Sequence, residues 1–193
     1  MIGCYDFCGH YEWTFAWVEK NFGHEALLSY WKEAIADDSQ LHAARLIKAK
    51  GFAGMEEYWG HTLAEEGAGY SSIRGETSFR IDMHECPSKG FLIANGLAQH
   101  PDYCDHCIGW IGPMMKDAGF VVDHEHNHLG KCWWVFRRPD APRPSSDAGS
   151  TAPRVENMPG WADHSTNIDR FDGATGADQK QTGGEDSSPS SSK

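Results

Sequence analysis

Four cysteines between positions 86 and 132 carry the clearest chemistry in this chain. Cys104-Asp105-His106-Cys107 is a Cys-x-x-Cys, a spacing that lets both sulfurs reach one tetrahedral ion at about 2.3 Å. Pro101-Asp102 stands just before it, a turn and helix start where amide dipoles favour thiolate. Cys86 ends one strand-like run and Cys132 sits inside another, so the fold can gather all four thiols. Cys86, Cys104, Cys107 and Cys132 are then candidate ligands of a structural zinc or an iron–sulfur cluster. A zinc ribbon has two such knuckles and this stretch has one. A redox Cys-x-x-Cys is a third option, but its usual βαβ setting is missing.

Histidines crowd the same region. His124, His126 and His128 occupy alternate positions, hence one face if the run is a strand. Two of them could chelate a catalytic zinc and leave a position open for water. Asp82 and His84 alternate in the same way in Ser78–Pro87 and could complete that site or orient a ligand histidine. The plainer alternative is that alternating polar residues are what any solvent-facing strand shows.

The elements that must position these groups follow from periodicity. In Ser78–Pro87, Phe79, Ile81 and Met83 alternate with Arg80, Asp82, His84 and Cys86, which predicts a half-buried strand. Two more strands are expected at 120–128 and 131–137, joined by a turn at Leu129-Gly130. From Trp13 to about Gly67 the pattern is helical. Leu27, Leu28, Trp31 and Ile35 form one stripe, Ala43, Leu46 and Ile47 a second after a Ser39 cap, and Met55, Tyr58, Trp59 and Leu63 a third. Gly69–Thr77 reads as a polar connection. Helices followed by strands predict an α+β domain over residues 1–138, with N-terminal helices packed on a small antiparallel sheet.

The order of these landmarks resembles the L-2-amino-thiazoline-4-carboxylic acid hydrolase family. The matching points are Met83-His84-Glu85-Cys86-Pro87, Tyr103-Cys104 and Gly130-Lys131-Cys132-Trp133-Trp134-Val135-Phe136, after a helical first half. Three positions after the second cysteine, where the family has an acidic residue, this chain has Cys107. The resemblance implies a hydrolase acting on a cyclic, amidine-like C–N bond of a small acid. Cys86 or Cys104 would be the nucleophile or a metal ligand, and His84 the base, oriented by Asp82. Arg80 would grip a substrate carboxylate with its planar fork, with His124 and His126 as further substrate contacts. The competing reading is a zinc or iron–sulfur module with a structural or sensory role.

Other signals are weaker. Cys4 and Cys8 lie one helical turn apart and could form a soft-metal half-site, but two small apolar residues on a packed helix explain them as well. Glu57, His61 and Glu65 align on one helix face, yet no second copy accompanies them, and a solvated charged face suffices. A net charge of −11 excludes a phosphate-binding surface of the usual basic kind, so neither nucleic acid nor an anionic membrane is an expected partner. No apolar run approaches the roughly 20 residues of a spanning helix, and with no leader evident a cytoplasmic location is the default. Composition changes at Pro139. Residues 139–193 are rich in Ser, Pro, Gly and Asp, and are expected to be a disordered acidic tail, dispensable for folding. Its sparse apolar points, Met158, Trp161, Ile168 and Phe171, could dock on the domain or on a protein partner.

Overall fold

A computed structural model describes residues 4–143, 154–162 and 168–173; of Cys4, Tyr5, Asp6 and Cys8 it describes the backbone only. The suggestion of a Cys4–Cys8 half-site therefore lies outside the described side chains, as does any statement on residues 174–193.

The architecture is α+β, as the periodicities require. Helix α1 (Cys4–Phe22) and α2 (His24–Ser29) run into a π-helical segment at Tyr30–Ser39, followed by α3 (Leu41–Lys50) and α4 (Phe52–Glu65). Strands β1 (Gly69–Arg74) and β2 (Ser78–Glu85) form a hairpin; α5 (Lys89–Ala94) and α6 (Asp105–Asp117) then precede β3 (Val121–His126) and β4 (Cys132–Arg137). A last strand, β5 (Asp169–Asp172), completes a five-stranded sheet in the order β1-β2-β4-β3-β5, antiparallel throughout. No described helix is long and apolar enough to cross a membrane.

One face of the sheet packs on the helices. Phe79, Ile81 and Met83 of β2, Val122 of β3, and Trp134 and Phe136 of β4 meet Ile47, Met55, Trp59, Ile111 and Met115 in one core. Strand alternation puts the odd residues of β2 there, and pairing aligns Met83 with Cys132, and Cys132 with His126, on that same face. A smaller cluster joins Phe15, Leu27, Trp31 and Ile35 to Leu92 and Tyr103, which ties the first helices to the stretch before Cys104. Ser39 does not cap α3. Its hydroxyl donates to the Ile35 carbonyl and the wider π turn carries the chain on to Gln40.

The other face corrects the boundary drawn at Pro139. Trp133 and Val135 are covered there by Val155 and Trp161, with Met158 and Ile168 packed beside them. Asp82 is buried beneath this segment, where it accepts from Arg80 Nε (2.7 Å) and Nη2 (2.6 Å) and from the Val155 N–H (3.0 Å). Arg80 also pairs with Glu156 at 2.6 Å and lies over the Trp133 ring. Nearby, the fully buried Asp123 holds Arg137 and Arg143. The ordered fold therefore extends beyond residue 138, through 154–162 and 168–173. A buried carboxylate taking charge-assisted bonds from arginine and a backbone N–H is a specific anchor, which sparse hydrophobes alone would not be. Gly69–Thr77, read as a connection, contains β1, whose mostly polar half-exposed residues give no alternation to detect.

A thiol-lined candidate metal centre

Cys86, Cys104, Cys107 and Cys132 reach one place by three routes. Cys86 is the first residue after β2. Its N–H donates to the Gly130 carbonyl (3.0 Å), which turns the chain out of the strand and toward the helical side of the sheet. Gly130 has φ of 85°, a left-handed conformation that glycine permits at this turn. Cys104 precedes α6 and Cys107 lies in its first turn. Cys132 opens β4, opposite Met83 and His126. All four are free thiols and line a single cavity of about 40 Å³.

Imidazoles complete the lining. His124 is buried; its Nδ1–H donates to the Trp133 carbonyl at 2.7 Å, an acceptor that fixes the tautomer. The lone pair therefore sits on Nε2, which is buried and has no hydrogen-bond partner. Burial and the neighbouring His126 hold His124 well below the ordinary imidazole pKa, so the ring stays neutral and able to ligate. His106 donates from Nδ1 to the Tyr103 carbonyl, and burial lowers its pKa to about 4. Its Nε2 stands 3.6 Å from Cys107 Sγ and accepts the thiol hydrogen. Trp134 stacks on His124 and donates its Nε1–H to Cys132 Sγ at 3.3 Å.

Burial keeps all four thiols protonated. Burial raises Cys86, against which the backbone N–H groups of Lys89, Ser88 and Gly90 act; the Lys89 N–H lies 3.3 Å from the sulfur. Cys104 is pushed up to about 12 by burial, with the buried Lys89 pulling the other way. Cys107 and Cys132 stand well above the ordinary thiol value, chiefly through burial and secondly through the adjacent Cys86. Four such thiols cannot ionise together unless a cation supplies the counter-charge.

Not every residue expected at the site is there. Arg80 and Asp82 lie on the opposite face of the sheet, engaged with Glu156 and Val155, and neither lines the cavity. His84 is not a lining residue either; its Nε2 meets Ser71 Oγ of β1 at 3.1 Å. The extrapolation from Arg80, Asp82 and His84 to Cys86 fails because the strand ends at Glu85, and the turn moves Cys86 to the other side. Cys86, Cys104, His124 and His126 do come together, with Cys107 and Cys132. Lys89, Lys131 and His106 are lining residues that periodicity did not single out, whereas Trp134 shares the face of Cys132 as strand alternation requires. His106, enclosed in the Cys-x-x-Cys, carried a positional signal; a buried lysine carries none.

Close ligand trios also exist. Among the described residues, the ligand atoms of Cys104, His126 and His128 lie within 4.8 Å of one another, as do those of Asp105, His126 and Asp169, and of Glu19, His24 and Asp102. The chain thus carries His, Cys and Asp groupings geometrically able to hold a metal. No protein-family model, curated protein or solved structure matches this chain.

Proposed function

We propose that this protein is a metal-binding module whose buried centre is held by Cys86, Cys104, Cys107 and Cys132. The observation that carries the reading is the convergence of four free thiols from three separate segments on one cavity. The neutral, unpartnered Nε2 of His124 adds a donor beside them, and leaving that atom bare would cost about 1–3 kcal/mol. The cavity, about 40 Å³, is far below the roughly 300 Å³ at which small-molecule sites begin. It suits an inorganic group better than a ring-bearing acid.

Sulfur spacing bears on the kind of centre. Four ligands at about 2.3 Å from one tetrahedral ion stand about 3.8 Å apart. No trio drawn from the four thiols is among those within 4.8 Å in the described residues. That favours an iron–sulfur cluster, which spreads its thiolates wider, over a single zinc. N–H···S contacts to Cys86 and Cys132 are the kind of bond that sets a cluster's potential. The role would be structural or sensory.

Metal analysis and an absorption spectrum of protein purified without oxygen test the proposal. Iron with visible absorbance, lost in Cys107→Ser and Cys132→Ser, is the expected result; stoichiometric colourless zinc would correct the identity of the centre. Folded protein with neither metal, before and after reconstitution, would overturn it. A hydrolase of cyclic C–N bonds is the second reading, favoured by the Cys104–His126–His128 trio, which leaves a coordination position free. It lacks the carboxylate anchor expected of it, since Arg80 is committed to Asp82 and Glu156.

A further inference from the structure

At the mouth of the thiol cavity a second group of ligand-type residues has its own construction. His126 is the last residue of β3 and His128 follows two positions on, in a turn where Asn127 Oδ1 accepts the N–H groups of Leu129 and Lys131. His128 has φ of 57°, the only positive φ outside glycine among the described residues. This left-handed conformation costs free energy and brings the two rings face to edge, centroids 4.4 Å apart.

Each ring is held by a carboxylate. His126 Nε2–H donates to Asp105 Oδ1 at 2.9 Å, and His128 Nε2–H donates to Asp169 Oδ2. Asp105 begins α6 and Asp169 begins β5, so separate elements have been brought to the two histidines. On both rings the nitrogen left over is Nδ1. In His126, a buried residue, that atom has no hydrogen-bond partner. One ring nitrogen of His126 and one of His128 lie within 4.8 Å of each other and of Cys104 Sγ. A carboxylate hydrogen-bonded to an imidazole fixes its tautomer and raises its basicity as a metal ligand.

We propose that Cys104, His126 and His128 bind a divalent transition metal beside the cavity, a second metal position next to the ion or cluster of the inner thiols. Two imidazoles and one thiolate suit zinc-like ions, and three protein ligands leave a position for water or a small ligand. Asp105 and Asp169 position the rings. Cys104 is the one residue shared with the inner centre and would bridge the two. The site otherwise stands independently of the function proposed above, and does not require the inner centre to be iron–sulfur.

The test uses the full chain, reduced and without oxygen, titrated with cobalt(II) and followed by its visible ligand-field bands, with total metal counted in parallel. One equivalent should bind beyond the metal of the inner centre. His128→Ala should weaken cobalt binding at least about tenfold, and Asp169→Asn by about 10–100-fold, the range for a lost carboxylate behind a ligand histidine. Neither change should alter the absorption or metal content of the inner centre. His128 and Asp169 are partly exposed, so both variants should fold, and circular dichroism checks that they do. Cobalt binding in His128→Ala and Asp169→Asn equal to wild type would overturn the proposal, as would failure to bind any equivalent beyond the inner metal. A chain lacking inner metal that still binds cobalt through His128 would refute the thiol-centre reading and leave this one standing.

Discussion

Replacing Trp161 by Ala should unfold the protein well below its wild-type temperature. Trp161 is 7% exposed and packs with Val155 on Trp133 and Val135, the face of the sheet away from the helices. Removing a buried indole costs about 3–5 kcal/mol when its surroundings cannot close the gap. The room to close is small, because Val155 is pinned by Asp82, and Asn127 Nδ2 contacts the carbonyls of Gly160 and Trp161. In a chain of this size each kcal/mol moves the midpoint by about 2–4 °C, so a drop of about 6–20 °C is expected. Thermal unfolding followed by far-ultraviolet circular dichroism measures it. Tryptophan fluorescence should shift to the red at the same time as Trp133 meets water. Truncation after Arg138 should lower the midpoint at least as far. If both proteins unfold within about 2 °C of wild type, residues 154–162 add nothing to the fold, and the tail is as dispensable as its composition suggests.

Three further outcomes are expected. Arg80→Ala leaves Asp82 buried without its ion partner and should cost about 3–5 kcal/mol in urea unfolding; Arg80→Lys, which loses only the fork, should cost less, and neither should change metal content. Burial holds the Glu66 carboxyl above its ordinary 4.5, so between the unfolded and folded values the folded protein binds more protons than the unfolded chain, and stability falls as pH rises through that window. Glu66→Gln should accordingly be more stable than wild type at pH 7 and equal to it near pH 4, read from urea midpoints at the two pH values. Gly109→Ala should cost about 1–3 kcal/mol, because its Cβ would stand 2.7 Å from Trp31 Cε3 where α6 crosses the π-helical segment; a midpoint unchanged from wild type would mean that this crossing yields freely.

The parts of this fold that were legible are those written in strong periodicity. Leu27, Trp31 and Ile35 form a buried stripe as their spacing requires, and Phe79, Ile81 and Met83 alternate into the core. The meeting of Cys86 and Cys132 with the Cys104–Cys107 pair was also foreseeable, since a strand end, a helix start and a second strand can converge. Period two separates the faces of a strand but does not say what covers each. Arg80 and Asp82 share a polar face in the sequence, and a polar face suggests either solvent or a site. In the fold that face is buried by residues that follow a compositional break. Trp161 and Val155 are too widely spaced to announce an element, and β5 is four residues long with three of them exposed. Their placement depends on Asp82, Asp123 and the open edge of β3, none of which is local to them in sequence.

The sheet order has a temporal consequence. Strand β5 is the last described element to leave the ribosome, yet it lies beside β3, with Asp169 opposite His126. Every inner thiol is already present once β4 has emerged, and β2, β4 and β3 can pair without waiting for the chain's end. The thiol cavity can thus assemble on a nascent chain whose outer rim is still missing. During that interval the β3 edge and the His126–His128 turn stand open to solvent, so the thiols proposed as ligands are accessible before Asp169 pairs with His128.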